Sequence, residues 1–63
     1  MIGSRIRRLR TKHGLSQQGL ANKTGISKGR IGRIERENVS LTLEEMEIIS
    51  SCFNITVEEL LKV

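Results

Sequence analysis

Proline, aspartate, tryptophan and tyrosine are absent from this chain of 63 residues, and cysteine, histidine and phenylalanine occur once each. A single cysteine, Cys52, excludes an intramolecular disulfide framework and reads as a small buried hydrophobe. With His13, Met1 and Met46 as the only other soft ligands, no metal-ligand cluster can be assembled, and no cofactor is expected. Without aspartate or tyrosine, and with no Ser/His or Cys/His pairing near a glycine-rich loop, a catalytic constellation is missing too, so an enzyme is not expected. His13 then reads as a helix-end or surface residue. Phe53 falls in a core helix pattern and leaves no aromatic platform for single-stranded RNA. No apolar run approaches the ~20 residues of a membrane span, and the N-terminal arginines interrupt any signal-peptide core. The expected compartment is therefore the cytoplasm, with no membrane partner and no site for a small-molecule effector.

Acidic residues are missing from half of the chain. Residues 1–34 hold nine Lys or Arg and no acid, whereas residues 35–63 hold two basic residues and all seven glutamates, giving halves of +9 and −5. One pole of the molecule thus attracts a polyanion, and nucleic acid is the leading partner.

What the chain has in abundance is helix punctuation. Ser16, Ser27, Thr42 and Thr56 each stand at a plausible N-cap. Each follows an apolar residue that can pack on another five positions later: Leu15 with Leu20, Ile26 with Ile31, Leu41 with Met46, Ile55 with Leu60. Thr42 with Glu45 and Thr56 with Glu59 add the reciprocal capping box. Upstream, Ile2, Ile6 and Leu9 share one helical face, Arg5, Arg8 and Lys12 lie on another, and Gly14 ends the segment. These signals predict an all-α domain of five helices at about 2–13, 17–23, 28–36, 43–52 and 57–62. The expected core is Ile6, Leu9, Leu20, Ala21, Ile26, Ile31, Ile34, Leu43, Met46, Ile49, Phe53 and Leu60. A domain this small buries only about 60% of its unfolded surface, so that core must be simple.

The second and third helices are short and separated only by Thr24 to Ser27, which is helix-turn-helix spacing. Gly25 can take a positive φ in the turn, and Ala21 is small enough for the third helix to cross. Ile31 and Ile34 face inward, leaving Lys28, Gly29, Gly32 and Arg33 to point outward or sideways. That face is poor as structure alone. Cations at Lys28 and Arg30 oppose the helix dipole at about 0.3–1 kcal/mol each, and the glycines cost roughly 0.8–1 kcal/mol each against alanine. Such violations mark functional positions. Basic side chains on a thin backbone suit a helix entering a DNA major groove, where Arg or Lys bonds guanine.

The stretch Gln17–Arg36, QQGLANKTGISKGRIGRIER, resembles the DNA-binding motif of the phage-repressor and Cro (Xre) family. The similarity continues through IxxRIRxLRxxxGLSQ before it and LTLEEMEIIS with NITVEELL after it. The resemblance implies a lambda-repressor-like five-helix domain covering residues 1–63, its third helix reading bases as a homodimer on a pseudo-palindromic operator, most often as a repressor. Residue by residue, it implies base contacts from Ser27, Lys28, Gly29 and Arg33. Phosphate contacts are implied for Arg10, Gln17, Arg36 and Asn38, and on weaker grounds for Arg30, whose position often serves packing. Arg10 and Glu35 match a partly buried ion pair between the first and third helices. The chain departs from the family at Gly19, which forfeits a capping box, at Glu37, where many members have glycine, and at Gly29, which has no side chain for readout.

Two-fold pairing is expected through the C-terminal pole, at Val57, Leu61 and Val63, with Ile48 and Cys52 as further candidates. An antitoxin or protein-interaction module on the same fold is the rival reading, its acidic pole docking a partner.

Overall fold

The structure, a computed structural model, describes residues 2–37 and 39–62. Five helices account for the regular structure among them: α1 Ile2–Lys12, α2 Gln17–Thr24, α3 Lys28–Arg36, α4 Leu43–Cys52 and α5 Val57–Leu61. Four of them start where a hydroxyl was expected to cap them. Ser16, Ser27, Thr42 and Thr56 accept from the backbone N–H three residues on, and Glu45 and Glu59 complete the boxes on α4 and α5. Gly25 closes α2 at φ +78°, its N–H donating to the Ala21 carbonyl at 2.8 Å. The chain thereby turns into α3 without straining a side chain.

Helix α3 packs on both α1 and α2, α4 packs on α2, and α5 closes against α1 and α4. The shared core is Ile6, Leu9, Leu20, Ala21, Ile31, Ile34, Ile49, Phe53 and Leu60, with Ile26 and Met46 partly buried against it. Leu43 is not in it: the side chain is 63% exposed. Six residues before Ile49, it lies about 120° around α4 from that fully buried residue, and Leu41 of the preceding loop packs on the core instead.

Gly3 is buried although nothing in the hydrophobic pattern marks it. A Cβ there would collide with the Ile34 carbonyl oxygen, so α1 and α3 meet backbone to backbone. Thr24 is buried as well. Its hydroxyl donates to the Leu20 carbonyl at 2.8 Å and accepts from the Ile26 N–H at 3.2 Å, so no polar atom is stranded at the turn.

Candidate nucleic-acid interface

The interface begins with an ion pair that holds three elements at fixed distances. Arg10 donates from Nε to Glu35 Oε2 at 2.8 Å and from Nη2 to Oε1 at 3.1 Å, a bidentate geometry. Its Nη1 donates to the Leu15 carbonyl at 2.8 Å, and Gln17 Nε2 donates to Glu35 Oε1 at 3.2 Å. The Arg10 side chain is 11% exposed and that of Glu35 is 3% exposed. The bond to Glu35 raises the Arg10 guanidinium still further above its ordinary value, against the opposing pull of burial. One carboxylate thus joins the end of α1, the start of α2 and the last turn of α3. The expected Arg10–Glu35 pair is present, and each nitrogen of the Arg10 guanidinium makes one bond inside the protein.

On α3, Ser27, Lys28, Gly29 and Arg33 are exposed together, and a Cβ on Gly29 would meet nothing within 4 Å. Arg33 lies 3.7 Å from Glu37, with both side chains more than half exposed, a contact too weak and solvated to hold it. Gly32 departs from expectation, being buried rather than outward. A Cβ at Gly32 would stand 2.9 Å from Arg36 Nη1, so the Arg36 guanidinium lies along the α3 backbone there.

Arg30 is engaged internally. Its Nε and Nη2 each donate to Glu45 at 2.9 Å, and Nη2 also reaches the Ser40 carbonyl at 2.9 Å. The hydrogen bond from Arg30 pulls the Glu45 carboxyl down to about 2. Arg5 donates from Nη2 to the Glu59 carbonyl at 3.1 Å, in the middle of α5. Asn38 and Val63 lie outside the described residues.

Arg7 belongs to the N-terminal pattern that matches the family but carried no expected contact of its own. Yet it lines a cleft of about 240 Å³ with Arg10, Gln17, Glu35 and Arg36. Its signal was the spacing of three from Arg10, which places both on neighbouring turns. At the opposite pole Leu61 is 51% and Ile48 39% exposed, and Val57 is half-buried. Cys52 is half-buried beside His13, Lys23 and Phe53, with the His13 and Phe53 rings 5.0 Å apart. No group of metal-ligating side chains forms among the described residues, and no helix there is long and apolar enough to cross a membrane.

The helix-turn-helix family model matches residues 6–60. Antitoxin PezA of Streptococcus pneumoniae is 38% identical over 56 residues, covering 89% of this chain and 35% of that protein. The chain spans about a third to a half of the curated relatives it matches. Among solved structures, the master regulator for biofilm formation SinR of Bacillus subtilis, in complex with DNA, superposes with a TM-score of 0.91 at 33% identity, over 98% of this chain and 100% of that one. The restriction-modification controller protein C.AhdI from Aeromonas hydrophila gives 0.86 at 34% identity, over 94% of this chain and 89% of that one. Fold, turn and matched length agree: the chain belongs to the helix-turn-helix family, of the phage-repressor and Cro (Xre) type.

Proposed function

We propose that this chain is the sequence-specific, duplex-DNA-binding unit of a transcriptional regulator, acting in the cytoplasm without catalytic chemistry. The observation that carries the reading is the exposed face of α3. Lys28, Gly29 and Arg33 stand there together on a helix whose other side is locked into the core by Ile31 and Ile34. In this reading Arg33 and Lys28 bond base edges in the major groove, Gly29 allows close approach, and Ser27 caps the helix at the groove mouth. Gln17 offers its backbone N–H to a phosphate at the start of α2, where the dipole favours an anion, and Arg36 contacts the next one. Arg10 acts through Glu35, holding α2 and α3 at the spacing of the groove. The SinR structure, a complex with DNA at this fold and similarity, supports the assignment.

One recognition helix reads too few base pairs to find an operator in a genome, so the unit pairs two-fold on half-sites about 34 Å apart or a multiple of it. The exposed Leu61 and Ile48 and the half-buried Val57 are the apolar side chains offered for that pairing. Leu61→Glu brings two like charges together across the axis. It should leave a folded monomer that retains non-specific binding per subunit and loses most operator affinity. Sedimentation equilibrium with and without operator decides the matter, and a fully dimeric Leu61→Glu would move the interface elsewhere. The likeness to PezA favours a second reading as the DNA-binding part of an antitoxin, which keeps the same interface. Affinity for duplex that does not change between low and physiological salt would sink both, since each phosphate neutralised contributes about −0.9 to the log-log slope.

A further inference from the structure

Gly32 has no local reason to be glycine. It sits in the middle of α3, where glycine costs about 1 kcal/mol against alanine, and it does not take a positive φ. At Gly3 the nearest atoms are backbone of another helix; at Gly32 they are not. The three atoms nearest to an added Cβ all belong to one side chain: Arg36 Nη1 at 2.9 Å, Cζ at 3.6 Å and Nη2 at 3.7 Å. A turn of helix separates the two residues, the spacing at which side chains on one face meet.

Where that guanidinium lies matters. Arg36 shares the cleft beside the start of α2 with Arg7, Arg10, Gln17 and Glu35. The carboxylate there is already taken by Arg10 and Gln17. Arg7 and Arg36 therefore bring two like charges to the walls of one cleft, an arrangement that repels itself until an anion enters.

We propose that Gly32 is a positioning residue: it leaves the space in which the Arg36 guanidinium lies against α3, aimed with Arg7 at a single backbone phosphate of bound DNA. The inference rests on the DNA-binding reading above and adds Gly32 and Arg7 to it. A methyl group at position 32 displaces only the mobile end of Arg36, so the fold survives and gains helix propensity.

The test is a cycle of Gly32→Ala, Arg36→Ala and the double variant, each assayed by thermal melting and by binding to one operator-length duplex across a salt series. Gly32→Ala should melt above wild type yet bind about fivefold to tenfold more weakly, the size of one weakened charge-assisted contact. In the Arg36→Ala background the same change should have no effect on binding. Wild-type affinity in Gly32→Ala overturns the proposal. So does an equal loss in both backgrounds, because the methyl would then be striking DNA directly. A wild-type protein that binds no duplex at any salt removes the DNA reading itself, and this proposal with it.

Discussion

Helices α3 and α4 are nearly equal in length and built to opposite standards. The first turn of α4 holds Glu44 and Glu45, matched to the helix dipole, and its Thr42 cap is answered by Glu45 in a complete box. The first turn of α3 holds Lys28 and Arg30 with no acid, its Ser27 cap bonds one way only, and two of its nine residues are glycine. Helix α4 is a scaffold piece that satisfies local rules, whereas α3 breaks them and is held in place from outside. The restraints are Arg10–Glu35 at its end, Arg30–Glu45 near its start, and the backbone contact with α1 at Gly3. A helix stabilised by its neighbours is free to present a surface chosen for a ligand.

That comparison is broken most severely by Glu35→Ala. The substitution takes the carboxylate from an 11%-exposed Arg10, leaving it the Leu15 carbonyl alone, and removes the acceptor of the Gln17 amide. Removing one partner of a buried pair costs about 3–5 kcal/mol, a large part of the stability of a domain this size. Urea denaturation should show the midpoint collapse. Pairing Arg10→Met with Glu35→Leu should restore much of it, because apolar replacement removes the desolvation cost of both charges. An unchanged midpoint in Glu35→Ala would mean that α3 does not lean on this pair.

Gly3→Ala separates the glycines by role. In an exposed helix the change would stabilise, but here the methyl drives into the Ile34 carbonyl and α1 must move away from α3. A loss of about 1–3 kcal/mol by thermal or chemical melting is expected, the range for overpacking. Stabilisation by Gly3→Ala would show that the two backbones are not in contact.

Much of this molecule is legible because its local signals agree with one another. Hydroxyl caps, capping boxes and the Gly25 turn follow from chemistry within five residues, so all five helices fall close to their expected bounds. The Arg10–Glu35 pair came from family resemblance, since nothing in a separation of 25 residues reveals it. What stayed hidden required knowing which backbones touch. Gly3 looks like an ordinary N-terminal glycine until α3 lies on it, and Gly32 reads as outward until the Arg36 side chain is traced. Leu43 looked like core because an apolar residue after a cap fits the pattern, but the phase of α4 is set by Ile49. Cations are hard to sort for the same reason: Arg5, Arg7, Arg10 and Arg30 look equivalent in sequence, yet among the described residues Arg5, Arg10 and Arg30 are held by carboxylate or carbonyl bonds while Arg7 lines the cleft beside α2.

Arg33→Ala sharpens the functional side of the comparison without touching stability, because its side chain is 58% exposed and only loosely near Glu37. The expected loss is about 1–3 kcal/mol on the cognate site, with preference relaxed at one base position of each half-site. Binding to scrambled duplex should change much less. Competition binding with a set of single-position operator variants measures it, and an unaltered ratio of cognate to scrambled affinity would take Arg33 out of base readout.

The smallest expected effect lies where α3 meets α4. Glu45 in the folded chain titrates at about 2, held down first by the Arg30 hydrogen bond and then by the Thr42 backbone N–H, against an ordinary value of 4.5. A carboxyl depressed by folding contributes stability above its unfolded value, and that contribution fades as the pH falls from about 4.5 toward 2. With the side chain 17% exposed and solvent screening the pair, the amount at stake is roughly 1 kcal/mol. Glu59 is also lowered, chiefly by the Thr56 N–H, and adds a smaller loss in the same direction. Glu45→Gln keeps an oxygen for the Thr42 N–H but gives up the charge facing Arg30, so it should lower stability at neutral pH and flatten the acid limb relative to wild type. Melting temperature followed from pH 6 to pH 2.5 in both proteins separates the cases. Parallel curves would show that Arg30 does not depend on Glu45 in the folded state, and would return Arg30 to the set of cations available to a phosphate.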